Sequence, residues 1–422
     1  MIPETLSAVN LIFFLLLAFS GLLLFYRLLH FLYGFFPARF FDDAKTYHRY
    51  AIVIPARYES RVIENLLISI KKQDYPARCV HTFVIVESAD DPTCGICQKY
   101  QNTDIFVRPD VAVKTKGGAL NQFFAAAIKE EAGFDAYFII DADNILSPSY
   151  LSEMNRSFDA GYPIGVGFRN SKNWNDGWVA ACSSAFFVGL NNHHNKCRSR
   201  FFNTSVITGT GFYISAGIIK LCGGWHFESM TEDLELSLYA ALNGIGVAYN
   251  ERAEFFDEQP RALAVARKQH ARWLRGYHQN TAYRRKLFKS GIREKRVGKI
   301  EMACAMIPII VPVACAITYL VLTVALGIAG LIMDGSGTVP AFMSAFIVLL
   351  SAYGFFVVYF GAVVLSSRRR IGLTTRNALC AAFMNPFFFA LFIPCYFVYF
   401  FKKNVRWDPI DHTVNTDTTS AG

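Results

Sequence analysis

Acid is almost missing from one stretch of this chain, and a second cysteine pair is missing altogether. Between Arg284 and Lys299 there are eight Lys or Arg, and Glu294 is the one acid among them. Such a cluster just before a long apolar run points to an anionic membrane surface and away from nucleic acid. Cys94-Gly-Ile-Cys97 has no second CxxC to complete four ligands, which leaves a zinc ribbon unsupported. The ten cysteines are scattered, several of them inside apolar runs, as reduced thiols of a cytosolic domain and of spans would be. No internal repeat or low-complexity segment is apparent. The first apolar stretch lacks a basic leader and follows Glu4, which argues against a signal peptide.

What is present is apolar and patterned. Of 422 residues 53% are hydrophobic and 15% aromatic, with a formal charge of +9. That is too apolar for an ordinary soluble protein and too polar for spans alone, so a membrane-anchored globular domain is expected. Leu6 to Tyr26 is long enough to cross a bilayer. Arg27, His30, Arg39, Lys45 and Arg49 follow it and place the next domain in the cytoplasm. Three charge-free runs come late: Met302 to Met333, Pro340 to Leu365 and Asn377 to Phe401. Arg368, Arg369, Arg370 and Arg376 belong inside, and so do Lys402, Lys403 and Arg406. One crossing cannot satisfy both ends of the last run. Broken by Pro386 and Pro394, it either spans or is re-entrant. The expected division is an anchor and linker over 1–49, a globular domain over 50–283 and a basic juxtamembrane segment over 284–301. A membrane region over 302–401 and a cytosolic tail over 402–422 complete a multi-pass protein of the plasma membrane.

From Tyr50 onward, strands alternate with amphipathic helices. Ala51–Pro55, Thr82–Val86, Ile105–Val107 and Tyr137–Ile140 read as strands. Val62–Ile70 and Ala119–Ile128 read as helices. The alternation implies βαβ units and a mostly parallel, doubly wound sheet, a Rossmann-like α/β domain.

Four constellations carry chemistry. Ile54-Pro55-Ala56-Arg57-Tyr58-Glu59 is a strand end with a polar loop, suited to gripping a nucleoside through backbone groups and Glu59. Lys116-Gly117-Gly118 sets a phosphate-seeking cation beside glycines that permit close backbone approach. Asp141-Ala142-Asp143 ends a buried strand, where ligands of open α/β sheets collect, and two carboxylates there can hold a hard divalent cation. Beyond Thr208-Gly209-Thr210-Gly211-Phe212 lies Thr231-Glu232-Asp233. Ser229 and Glu232 are spaced as a capping box before a helix over Leu234–Leu242, leaving Asp233 to point into a cleft as a general base. Further on, Gln269, Arg272 and Trp273 share one helix face, an amide, a guanidinium and an indole able to clamp a diphosphate and stack on a ring. His193, His194 and His226 fit none of these patterns and are expected at the surface or in structural roles.

The ordered set of Asp-x-Asp, Thr-Glu-Asp and Gln-x-x-Arg-Trp resembles the membrane-bound family 2 glycosyltransferases, the group that holds chitin, cellulose and hyaluronan synthases. The resemblance covers roughly Tyr50 to Arg275 and, more loosely, the flanking spans. It implies a GT-A fold and an inverting transfer from a nucleotide-diphosphate sugar, usually a uridine one. On that resemblance Asp141 and Asp143 serve Mg²⁺ or Mn²⁺, and Asp233 is the base. Pro55, Ala56, Arg57, Glu59, Lys116, Asp141, Gln269, Arg272 and Trp273 meet the donor, with Arg272 also offsetting charge on the departing diphosphate. Thr210, Gly211, Glu232 and Trp273 meet the acceptor. Many relatives have Asp where Glu87 stands, so the nucleoside contact falls to Glu87 or Asp91. The implied product is a growing glycan. The alternatives are one sugar added to a membrane lipid, and an inactive sugar-binding or scaffold relative. Membrane lipids are expected partners, nucleic acid is not, and a homo-oligomer stays open.

Overall fold

Five of the six residues of Tyr50–Pro55 are fully buried, and the strand divides them between two cores. Tyr50, Ile52 and Ile54 enter one hydrophobic cluster, while Ala51 and Val53 enter the other. Side chains alternate across a pleated strand, so a strand apolar on both faces must be covered on both. The computed structural model in which this is seen describes residues 2–130, 133–305 and 338–390, with isolated positions between 307 and 332 and at 394. One face of the sheet is covered by the helices Ile63–Lys71 and Tyr150–Asp159. The other is covered by Lys116–Lys129, Trp178–Val188 and Glu232–Leu242.

The strands are β1 (Tyr50–Pro55), β2 (Val80–Val86), β3 (Thr103–Val107), β4 (Ala136–Ile139), β5 (Ile145–Leu146), β6 (Ile164–Ser171), β7 (Phe212–Ser215) and β8 (Val247–Asp257). They form one sheet in the order β3-β2-β1-β4-β7-β6-β8-β5. From β1 the chain builds outward first through β2 and β3, then on the other side through β4. The strand order therefore reverses between β1 and β4, and a crevice opens beyond their carboxyl ends.

The expectation of a mostly parallel sheet needs correcting. Among the described residues four ladders are parallel and three antiparallel. β7 runs against both its neighbours, β4 and β6. After β6 come the helices Trp178–Val188 and Lys196–Phe201, and the 203–211 segment then brings the chain to β7 at the carboxyl edge, so β7 runs backward. Gly211, at φ +65°, makes that entry, and a Cβ on it would collide with the Phe255 ring.

A second correction concerns the capping box. The helix starts at Glu232 with Thr231 before it, and no side chain caps it. Asn280 donates to the hydroxyls of Ser229 and Thr231 at 3.1 and 3.4 Å, so a tertiary partner takes the cap residue. The return bond comes from Glu235, whose Oε2 accepts the Ser229 N–H at 3.0 Å.

Two long helices flank the domain, Ile2–Tyr33 and Thr338–Ile371, followed by Thr375–Ala390. Pro386 does not end the last of these. Among the described residues one stretch, Leu349–Arg368, is long and apolar enough to cross a membrane. Most of Met302–Met333, the end of Asn377–Phe401 and the tail over 402–422 lie outside the described residues. His193 and His194 are buried where these helices meet the domain. His193 Nδ1 lies 3.0 Å from the Phe31 carbonyl, and His194 Nε2 lies 3.1 Å from the Tyr359 hydroxyl. Their role is structural, while His226 is exposed. Arg198 donates to Glu301 at 2.9 Å in the same joint, and the Tyr26 hydroxyl donates to Glu301 as well. Arg370, at the end of the long helix, donates to Glu254 of β8 at 3.0 Å and covers the Phe168 ring at 3.8 Å.

Candidate active site

The crevice is built from loops that rigid strands hold in place. After β4 the backbone N–H of Asp141 donates to Thr210 Oγ1 at 2.8 Å, and that hydroxyl donates to Asn144 Oδ1 at 2.6 Å. Thr210 is thus a buried pin joining the Asp-x-Asp turn to the segment that enters β7. Lys116, first residue of its helix, donates to Asp141 Oδ1 and to the Gly209 carbonyl, the latter at 2.7 Å. Gly209 in turn borders the acid pair, since a Cβ on it would lie 3.7 Å from Asp233 Oδ2. The glycine beside Lys116 has a packing purpose: a Cβ on Gly117 would press to 2.6 Å from the Phe227 carbonyl and stand 3.7 Å from Glu232 Cβ.

Lys116, Asp141, Glu232 and Asp233 therefore gather around Gly209, far apart though they are in the chain. Glu232 and Asp233 both feel the charge of Lys116 and are only partly exposed. Burial, with the charge of Asp233 beside it, pushes the Glu232 carboxyl up to about 7, against the pull of Lys116 and Arg272. Burial also raises Asp233, opposed by the Leu234 N–H and by Lys116, Arg169 and Arg272. Arg272 thus acts on both acids from the helix Leu263–Gln279. Gln269 and Trp273 belong to the same helix. Gln269 Oε1 is buried with no hydrogen-bond partner among the described residues, and Trp273 packs edge-on against Phe187 at 5.6 Å.

At the end of the crevice beyond β1 and β2 the polar groups are already engaged. Asp91 is buried, and its two oxygens accept from the backbone N–H of Tyr58 at 2.8 Å and of Thr93 at 2.9 Å. It shapes the loop after β1, where Tyr58 sits at φ +58°. The Glu59 N–H donates to Thr93 Oγ1 at 3.0 Å. Glu87 pairs with Arg57 at 3.0 Å and with Arg108 at 3.6 Å. Pro55 closes β1, and the Ala56 N–H bonds the Ile85 carbonyl at 2.8 Å.

Asp143 stands at the turn beyond β4. Its Oδ1 accepts from Asn144 at 3.0 Å, and Lys172 holds its carbonyl at 2.9 Å. Among the described residues no three His, Cys, Asp or Glu group as a metal cage. Two carboxylates one residue apart nonetheless fit Mg²⁺ or Mn²⁺, because such ions take one or two carboxylates and complete their shell with phosphates and water.

Sequence reasoning missed the buttress behind Asp233. Arg169 of β6 forks onto Asp257 of β8, with Nε at 2.7 Å, reaches the Thr208 carbonyl at 2.5 Å and covers Phe187 at 3.7 Å. Lys172 pairs with Glu258 at 3.3 Å. Two bases at the end of one strand and two acids at the end of another were the available signal. It becomes readable only once β6 and β8 are known to pair in parallel.

The crevice thus gathers carboxylates at the ends of strands and of one helix, with Lys116 and Arg272 acting on Glu232 and Asp233. The chain belongs to the family described as glycosyltransferase like family 2, which matches residues 48–276. Its relatives include a probable glycosyltransferase, YdaM, of Bacillus subtilis, 26% identical over 56% of this chain and 56% of the relative. A poly-beta-1,6-N-acetyl-D-glucosamine synthase of Staphylococcus epidermidis is 23% identical over 52% of each chain. A beta-monoglucosyldiacylglycerol synthase of Trichormus variabilis is 23% identical over 44% of this chain and 40% of its own. The matches span about half the length of these curated relatives. Among solved structures, a mannosyltransferase of Pyrobaculum calidifontis in complex with GDP-Man and Mn²⁺ superimposes with a TM-score of 0.55, at 15% identity, over 88% of this chain and 99% of its own. That likeness concerns the fold.

Proposed function

We propose that this glycosyltransferase inverts the anomeric carbon of a sugar carried on a nucleotide diphosphate, most simply uridine diphosphate, and extends a glycan at the inner face of a membrane. The observation carrying the proposal is the convergence of Lys116, Asp141 and Asp233 around Gly209. Asp233 takes the proton from the acceptor hydroxyl as that oxygen attacks the anomeric carbon. Arg272 and Lys116 lie where negative charge grows as the bond to the diphosphate breaks. Gln269 and Trp273 orient diphosphate and acceptor from the same helix face. Mg²⁺ or Mn²⁺, held by Asp141 and Asp143, would add charge against the leaving diphosphate. The paired Glu87, Arg57 and Arg108 form the nucleoside end of the crevice, with Asp91 holding its loop in shape. Thr210 and Gly211 shape the acceptor side from behind, through the pin to Asn144 and the entry into β7.

A lipid acceptor is the second reading. It is supported by similarity to a diacylglycerol-glucosylating synthase at the same 23% identity as to the glucosamine polymerase. The two readings separate by product length on a radiolabelled nucleotide sugar. A ladder of extending products is expected, and a single lipid-linked sugar would remove the polymer reading. Membrane anchoring is supported by the exposed Leu15, Leu22, Phe25 and Leu29 of the N-terminal helix and by the Leu349–Arg368 stretch.

A pH profile tests the base. Asp233 must be ionised to accept a proton and burial raises its pKa, so kcat/KM falls with acidity before ordinary carboxylates titrate. Lys116 holds that pKa down. Lys116→Met is therefore expected to move the acid limb toward higher pH, measured as kcat/KM between pH 4 and 9. A limb that stays in place would dissociate Lys116 from the base.

A further inference from the structure

A glycine inside a helix is unfavourable against alanine, yet Gly276 sits within the helix Leu263–Gln279, one turn beyond Arg272. One turn further on, Asn280 caps that helix. Arg272, Gly276 and Asn280 therefore follow one another along one face. A Cβ on Gly276 would press to 2.7 Å from the backbone nitrogen of Thr231, with the Thr231 hydroxyl nearer still. No threonine rotamer relieves a clash with its own main chain. The missing side chain is what lets the helix reach the turn before Glu232.

The next residues complete the joint. Gln279 Oε1 accepts the Met230 N–H at 2.8 Å. Asn280 Nδ2 donates to Ser229 Oγ at 3.1 Å, to Thr231 Oγ1 at 3.4 Å and back to the Gly276 carbonyl at 3.0 Å. Ser229, Met230 and Thr231 are thus each held by the end of one helix, immediately before Glu232 and Asp233 open the next. Thr231 and Asn280 are 8% and 4% exposed, which shields their bond from water. On its other side the acid turn is tied to the segment that carries Gly209. Ser237 Oγ donates to the Asp233 carbonyl at 2.9 Å and accepts the Ile207 N–H at 2.9 Å.

We infer that Gly276 and Asn280 are positioning residues: they dock the helix of Arg272 directly on the Ser229–Thr231 turn and so set the distance of that guanidinium from the acid pair. No flexible side chain lies between Gly276 and the turn, so the spacing is fixed by main-chain contact. Gly276 stands about 6 Å along the helix axis from Arg272, and a rigid helix passes an outward shift at one nearly whole to the other. The effect on the reaction rests on the transferase reading, whereas the joint does not.

The full-length chain is compared with Gly276→Ala and Asn280→Ala. Met154→Ala serves as a control for lost packing alone, since Met154 is buried in the core on the opposite face of the sheet. Nucleotide release from the donor is followed across pH, and amide hydrogen exchange over 229–235 is read by mass spectrometry. Gly276→Ala is expected to lower kcat about a hundredfold while KM for the donor changes far less, and Asn280→Ala to do so by a smaller factor. Burial raises the Asp233 carboxyl and Arg272 is among the charges opposing it, so both variants should carry the acid limb of kcat/KM to higher pH. Both should also speed exchange over 229–235. Met154→Ala should lower the melting temperature and leave the limb in place. An acid limb unmoved in Asn280→Ala, or moved equally by Met154→Ala, overturns the positioning role, and Asn280→Ala decides alone should Gly276→Ala not fold. Exchange unchanged in Asn280→Ala overturns the joint. If the unsubstituted chain releases nucleotide from no donor, the transferase reading fails, and faster exchange in Asn280→Ala still upholds the joint.

Discussion

Replacing Asp233 with Asn lowers kcat about a hundredfold to ten-thousandfold, the range that a positioned general base contributes. Asparagine keeps the size and polarity of the side chain but cannot take a proton. Binding of the nucleoside diphosphate, followed calorimetrically, is expected to change little, because the groups assigned to the donor, from Arg57 and Glu87 to Lys116, Gln269 and Arg272, do not include Asp233. Glu232→Gln separates the two acids. Its carboxyl, pushed up to about 7, is largely protonated in mildly acidic solution, where the amide mimics it. That variant should keep most of its activity below neutral pH. A kcat within tenfold of the unsubstituted enzyme for Asp233→Asn would remove Asp233 as the base.

Glu301→Ala produces the largest loss of stability. Arg198 and Glu301 are each 4% exposed, and Arg198 Nε lies 2.9 Å from the carboxylate. Removing the acid strands a buried guanidinium, which costs about 3–5 kcal/mol. The Tyr26 hydroxyl loses its acceptor in the same step, so the N-terminal helix loosens from the domain. Thermal unfolding of the detergent-solubilised protein should show the midpoint falling sharply. Replacing both partners by methionine should recover much of the loss, since two apolar groups leave no charge uncompensated. Equal melting of Glu301→Ala and the unsubstituted chain would show that water reaches this pair.

Which features could be read from the sequence follows from the range of the forces involved. β1, β2 and β4 are short β-branched runs bounded by polar residues, and their helices carry apolar residues at helical spacing. Such local patterns survive without knowledge of the fold. β6 and β8 do not announce themselves. Glycines interrupt Ile164-Gly-Val-Gly-Phe, and Glu251, Arg252 and Glu254 interrupt the apolar pattern of β8. The Ser229 to Glu232 spacing satisfied a local rule, yet Asn280 took the serine, and only the tertiary structure decides that contest. The acids and cations of the crevice were legible because they sit in short motifs whose order is informative. The Arg169–Asp257 fork joins residues 88 positions apart and depends on strand register, so no local window contains it.

Arg370 ends the long apolar helix with its guanidinium laid on Phe168, and the very next residue of that strand, Arg169, grips Asp257 behind the acid pair. The helix and the strand are thus joined through neighbouring residues, Arg370 on Phe168 and Glu254, Arg169 on Asp257 and the Thr208 carbonyl. Any shift of that helix along the domain would reach, one peptide unit away, an arginine whose charge helps hold the Asp233 carboxyl down.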